Sequence, residues 1–307
     1  VTRLAAIFSV LPLFVWTPVI NAEVVEYAGP PDALSHDVYV NVVSEGTSPV
    51  MQNYIPSADG AYVAAAIRKP QGEGPFPAIV IFHGAPGGRG MEQLVGWSRG
   101  DHGGPVWERF LQEGFVVAVA DYRGGDFNLM NQPSDLPLVT AIDDGLAVVD
   151  HVAALPYVNP DRVSVYGVSL GGNLALFLAS EKPTLHTVVV GAPAPIWFLG
   201  MPFSGFREQP EEIDASSSAG NIDPISTPIL IQVGTADSLL ALDRVLYQQL
   251  RSRGKEVRLE IYEHGYHDFV LGPQGQERGD LPEGEILLQG ALDALERSLA
   301  FVKAGQL

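Results

Sequence analysis

The stretch Val163-Ser164-Val165-Tyr166-Gly167-Val168-Ser169-Leu170-Gly171-Gly172-Asn173-Leu174-Ala175-Leu176-Phe177-Leu178-Ala179 decides the fold. Its first four residues, with Val163, Val165 and Tyr166 β-branched or aromatic, read as a strand, and its last seven read as a buried helix. Between them, Gly167-Val168-Ser169-Leu170-Gly171 fits the G-x-S-x-G pattern. A Gly-rich turn can produce that pattern alone, but strand, sharp turn and helix together are the setting of a nucleophile elbow. There the serine sits in a strained backbone at the turn apex. Glycines flank it because side chains would collide with the adjoining strand and helix. The helix N-terminus brings partial positive charge to a developing oxyanion. Ser169 is therefore read as a nucleophile.

Working outward, the same alternation recurs. Tyr62 to Arg68, Ala78 to Phe82, Phe115 to Ala120, Arg162 to Tyr166, Thr187 to Val190, Ile229 to Val233 and Val257 to Tyr262 read as strands. Ile142, Leu146, Val149 and Val152 recur at helical spacing, with Asp143, Asp144, Asp150 and His151 mostly elsewhere around the cylinder. Leu288, Leu292, Leu295, Leu299 and Val302 form another apolar stripe near the C-terminus. Strands alternating with helices predict an α/β protein with a mostly parallel central sheet covered on both faces, and the nucleophile elbow within it makes the expected fold of the α/β-hydrolase type. Right-handed crossovers place all parallel strand ends at one edge, where ligands bind. Asp37 to Val43 and Met51 to Tyr54 are expected to add antiparallel edge strands.

A serine hydroxyl is a poor nucleophile until a base takes its proton and an acid orients that base. In this architecture the chain order is Ser, acid, His. Asp237 lies in the turn after the strand Ile229 to Val233, and His267 in the loop after Val257 to Tyr262. Both fall at the same sheet edge as Ser169. The rivals are Asp243, read as a solvated helix residue, and His264, which serves if the strand ends earlier. His36, His102, His151 and His186 have no matching position. For the oxyanion, one donor is the backbone N–H of Leu170. The other comes from the loop after Phe82: Ala85 N–H is the candidate and Gly84 its alternative, whereas Pro86 has no N–H.

Composition bounds the rest. At 307 residues the chain fits one large domain, and its 46% apolar content excludes global disorder. With 18 Lys+Arg against 36 Asp+Glu, the net charge of −18 repels phosphate backbones and anionic lipid, arguing against a nucleic-acid partner. With no cysteine, disulfides, thiolate metal sites, a lipoprotein anchor and a thiol nucleophile are excluded. No H-E-x-x-H pattern suggests a metal, and no cofactor is expected. Arg3, the apolar run Leu4 to Ile20 and Asn21-Ala22 describe a secretory signal peptide over residues 1–22, cut after Ala22. The alternative is an uncleaved anchor, disfavoured by Pro12 and Pro18. Residues 23–307 are then one hydrolase domain, secreted or periplasmic, with no stable membrane insertion.

The chain also resembles the catalytic domain of the prolyl oligopeptidase family and dienelactone-hydrolase-like serine esterases. The resemblance runs over about residues 55 to 272. It is carried by Phe76 to Gly84, Asp121-Tyr122-Arg123-Gly124-Gly125, Val158-Asn159-Pro160-Asp161-Arg162, Ile225 to Leu230, Gly234 to Asp237 and Tyr266-His267-Asp268-Phe269. It implies Ser169, Asp237 and His267 as the triad, and a small ester or short peptide as substrate. Two departures bear on specificity. Dienelactone hydrolases proper use a cysteine nucleophile, and fewer than 60 residues stand where prolyl oligopeptidases carry a propeller. Residues 192–227 are where this fold accepts a cap. Pro195 to Phe203 either lines an apolar pocket or packs on the sheet, and Glu208 to Ser218 reads as exposed.

Overall fold

The computed structural model describes residues 48–85, 87–99, 104–124, 136–201, 216–271 and 282–306. Among the described residues, eight strands form one sheet: β1 (Val50–Pro56), β2 (Tyr62–Arg68), β3 (Phe76–Phe82), β4 (Val116–Ala120), β5 (Val158–Val168), β6 (Val188–Gly191), β7 (Ile229–Gly234) and β8 (Val257–Tyr262). Their spatial order is β1-β2-β4-β3-β5-β6-β7-β8. The run from β4 to β8 is parallel, while β1–β2 and β2–β4 are antiparallel. The expected edge strand at Met51 to Tyr54 is β1, and β2 is antiparallel as well. Asp37 to Val43 lies outside the described residues, as do residues 1–22.

Alternation along the strands divides the core into two layers. Ala78, Val80 and Phe82 of β3 face one layer, and Ile79 and Ile81 face the other. In β5, Val163 and Val165 point one way and Tyr166 and Val168 the other. The period of two puts apolar side chains on both faces, so each face needs helices. The first layer holds α3 (Leu136–Ala154), α4 (Leu170–Glu181) and α6 (Leu240–Ser252), through Val148, Leu174, Leu178 and Leu246. The second holds α1 (Met91–Arg99), α2 (Gly104–Gln112) and α7 (Pro282–Ala304), through Leu94, Phe110 and Leu299. The one-turn α5 (Ala219–Ile222) leads into β7.

Three expectations are corrected here. Leu292 is exposed, and Ala291, Ala294 and Phe301 are buried, so the inner face of α7 is rotated from the predicted stripe. It covers the buried Gln232, whose side chain donates to Ala294 O at 2.8 Å and accepts from Ser298 Oγ at 3.0 Å. Asp144 is not on an outer face of α3; it is fully buried and held by Arg123. Ser218 is buried and bonded to Gln249 rather than exposed. Between β6 and α5, Ile196, Phe198 and Leu199 are buried in the first core layer, the packing alternative for those apolar residues. Residues 202–215, the middle of the cap position, lie outside the described residues.

Candidate active site

β4 lies on one side of β3 and β5 on the other. The connection after β3 runs over one face of the sheet and the connection after β5 over the other, opening a crevice between the C-terminal ends of β3 and β5. Ser169 sits there, between β5 and α4, with φ 55° and ψ −120°. Few non-glycine residues adopt such a backbone, so the turn must be held from outside. Ser169 N–H donates to Gly191 O at 3.0 Å, and Ser169 O accepts from Ala194 N–H at 3.1 Å. The flanking glycines are sterically required. A Cβ on Gly167 would lie 2.1 Å from Gly171 O, and one on Gly171 would lie 2.2 Å from Phe82 O.

The side chains of Ser169, His267 and Asp237 meet. His267 Nε2 lies 2.9 Å from Ser169 Oγ, and His267 Nδ1 lies 3.0 Å from Asp237 Oδ2. Asp237 Oδ1 accepts from Leu239 N–H at 2.8 Å. The loops after β7 and β8 are fastened together. Ala236 N–H donates to Gly265 O at 2.9 Å and Thr235 N–H to Tyr262 O at 2.8 Å. The approach is so close that a Cβ on Gly234 would lie 1.9 Å from Gly265 O. Beyond His267, the buried Phe269 and Val270 anchor the loop in the second core layer.

Electrostatics favours a proton on His267. Burial disfavours the charged imidazole, but the Asp237 hydrogen bond and charge, with Asp268 adding to them, outweigh burial and raise its pKa above the ordinary value. His264 does not join the site. Its side chain is 46% exposed beside Glu263, and its N–H donates to Thr235 Oγ1. Asp243 does not join it either, and it is not solvated. It is fully buried in α6, and neither carboxyl oxygen has a partner among the described residues. Burial and the neighbouring Asp237 charge push its pKa well above the usual carboxylate range.

Leu170 is the first residue of α4, so its N–H has no acceptor within the helix. The loop after β3 runs beside the serine: a Cβ on Gly84 would lie 3.3 Å from Ser169 Cβ. Among the described residues, neither Ala85 N–H nor Leu170 N–H meets an acceptor. Sequence reasoning left His83 and Asp121 without a role, although both stood inside quoted motifs. Asp121 is fully buried and accepts from Gly88 N–H (2.8 Å), Tyr122 N–H (2.9 Å) and Gly90 N–H (2.8 Å).

This strand order, with a serine at the elbow after β5 and a histidine and an aspartate after β8 and β7, defines the α/β-hydrolase fold. The chain belongs to the Dienelactone hydrolase family, whose model matches residues 63–280. It is 31% identical over 132 residues to the quorum-quenching protein AidA of Acinetobacter baumannii strain MDR-ZJ06, covering 42% of this chain and 40% of that protein. It is 24% identical to the acylamino-acid-releasing enzyme of Arabidopsis thaliana over 257 residues, covering 75% of this chain and 32% of that one. The chain thus spans well under half the length of these curated relatives. Among solved structures, an esterase of Pyrobaculum calidifontis matches with a TM-score of 0.58 at 19% identity, over 83% of this chain and 85% of its own.

Proposed function

We propose that this protein is a serine hydrolase that cleaves small carboxylic esters through an acyl-enzyme. The single observation that carries the reading is the hydrogen-bonded series Ser169–His267–Asp237 at the C-terminal edge of the sheet. Ser169 Oγ attacks the carbonyl carbon while His267 Nε2 takes its proton, and Asp237 holds the ring and balances the imidazolium. The N–H groups of Leu170 and Ala85 receive the negative oxygen. When the tetrahedral adduct collapses, the bond to the leaving group breaks and His267 returns the proton to it. A water deprotonated by His267 then attacks the acyl-enzyme, releasing the acid and restoring Ser169. Serine replaces the cysteine of dienelactone hydrolases proper, so their thiolate chemistry does not transfer.

Membership of the Dienelactone hydrolase family supports the ester reading. A second reading, a prolyl-oligopeptidase-type peptidase acting on short peptides, draws support from the acylamino-acid-releasing enzyme, which aligns over 75% of this chain. We further propose that residues 1–22 direct export, so the enzyme works outside the cytoplasm. One preparation tests all but the last point. Ser169→Ala is expected to lower turnover of a short-chain aryl ester about a millionfold, and to abolish fluorophosphonate labelling. Wild-type-like labelling of Ser169→Ala or His267→Ala would remove the mechanism. Prolyl or acylaminoacyl amides turned over faster than the ester would transfer the assignment to the peptidase reading.

A further inference from the structure

The loop that carries Ala85 is held by a set of side chains that neither the triad nor the oxyanion requires directly. His83 is buried, stacked on Tyr122 at 4.8 Å between ring centres, with Trp97 edge-on at 5.1 Å. Its Nδ1 lies 2.7 Å from Gly84 O, and its Nε2 lies 3.1 Å from Asp121 Oδ1. Asp121 in turn accepts the N–H groups of Gly88 and Gly90, further along the same loop. Tyr122 Oη donates to His83 O at 2.9 Å.

Gly84 O belongs to the same peptide unit as Ala85 N–H. That peptide is trans, since the only cis bond among the described residues is Gly74–Pro75. In a planar trans peptide the C=O and N–H point in opposite directions. A ring that grips Gly84 O therefore turns Ala85 N–H away from itself and fixes the plane. The next carbonyl, Ala85 O, accepts from the Arg89 guanidinium at 2.8 Å, so the peptide on the other side of Ala85 is fixed too. A hydrogen bond on a peptide carbonyl also polarises its own N–H into a stronger donor.

We propose that His83, buttressed by Asp121, is a positioning residue for the oxyanion: it clamps and polarises the Gly84–Ala85 peptide so that Ala85 N–H meets the transition-state oxygen. Neither side chain touches substrate. The proposal rests on the Ser169 acyl-enzyme reading and deepens it. A carbonyl and a carboxylate can only accept, so both Nδ1 and Nε2 of His83 must carry hydrogen in these two contacts.

That requirement is testable without any substitution. In wild-type protein, a two-bond proton–nitrogen spectrum of labelled histidine is expected to show hydrogen on both ring nitrogens of His83; a bare Nδ1 would overturn the clamp, and a bare Nε2 the role of Asp121. His83→Phe keeps the ring stacked on Tyr122 and loses both polar contacts. Losing an oxyanion donor outright costs about a hundredfold or more in kcat. Misaligning one is expected to lower kcat on an aryl ester about 10- to 100-fold, with KM within about threefold. Affinity for an alkylboronic acid, whose tetrahedral adduct carries an oxygen in the same place, should fall by a similar factor. Asp121→Asn should move both quantities the same way by less. A purely structural role would lower Tm and leave kcat per folded molecule and boronate affinity unchanged, and that result overturns the proposal. Turnover surviving in Ser169→Ala would instead sink the underlying mechanism. Turnover lost there but kept within twofold in His83→Phe sinks only the clamp.

Discussion

Asp121 and Asp243 lie on opposite sides of Ser169, one at the end of β4 and the other in the helix after β7. Both are fully buried, and they solve burial in opposite ways. Asp121 meets three backbone N–H groups and an imidazole, so its two oxygens are met by directed donors. Asp243 meets none among the described residues, and its pKa is pushed up. A buried carboxylate remains ionised only where donors replace the water it lost; otherwise it keeps its proton. Asp237 shows why the second solution is used after β7. It accepts from Leu239 N–H and holds His267, and a second negative charge beside it would repel the one that orients the base.

The comparison breaks most visibly if Asp237 is made neutral. Asp237→Asn keeps the shape but withdraws the charge and favours the wrong tautomer of His267, so kcat should fall about 10⁴-fold with the fold intact. A loss under tenfold would mean that the bond to His267 is not what sets the base. The same contact has a pH signature. Because the pKa of His267 is raised, the ring is charged, and unable to accept a proton, at pH values where an ordinary histidine is already free. The acid limb of kcat/KM in the wild-type enzyme is thus expected to have its midpoint above 6.5, the ordinary value. An acid limb centred below that value would contradict the net effect of the carboxylate.

Next in size is a substitution that turns a satisfied aspartate into a second Asp243. Asp144 is fully buried and pairs with the Arg123 guanidinium through both oxygens, while Arg123 also reaches the exposed Asp59. Arg123→Met would leave Asp144 with the backbone N–H of residue 123 as its remaining donor. Removing one partner of a buried pair costs about 3–5 kcal/mol, and the surviving N–H places this case near the lower end. Urea unfolding should show a lower midpoint at unchanged slope. Asp59→Ala should barely move it, because that carboxylate is half in water.

These residues also mark where the sequence was legible. β2 and β8 were predicted to the residue: β2 is apolar and buried along nearly its whole length, and β8, at the sheet edge, alternates Val257, Leu259 and Ile261 with Arg258 and Glu260. The Ser169, Asp237 and His267 positions followed from chain order and strand ends, which are properties of the topology. Polar burial was not readable in that way. Asp144 and Asp243 sit in helices, where a charged residue ordinarily signals an outer face, and only the tertiary partner, or its absence, says otherwise. Asp121 and His83 were visible as motif residues, but their contact spans 38 positions and joins the ends of adjacent parallel strands. Nothing local announces a bond of that kind. The rotated face of α7 was lost for a related reason: Leu292 fits the apolar period, yet the buried face follows Ala291 and Ala294, small enough to let the helix lie on the sheet.

The smallest effect tests Asp243 itself, and its sign is what matters. Its folded pKa is raised, so between the unfolded value near 3.8 and the folded one the native state holds a proton that the unfolded chain releases. Stability contributed at this site is therefore highest at acid pH and declines as pH rises through that window. Asparagine is nearly the same shape as the protonated acid and carries no such cost. Asp243→Asn is expected to raise Tm at pH 7 by about 2 °C, the size of roughly 1 kcal/mol in a chain of this length, and to make no difference near pH 4. Its kcat should stay within about twofold, because the group that faces His267 is Asp237. A Tm that falls at pH 7 would show that Asp243 is ionised and bonded, and would erase its contrast with Asp121. Unchanged kcat with a raised Tm would establish that the acid is kept neutral, so that no charge at Asp243 competes with that of Asp237 behind the base.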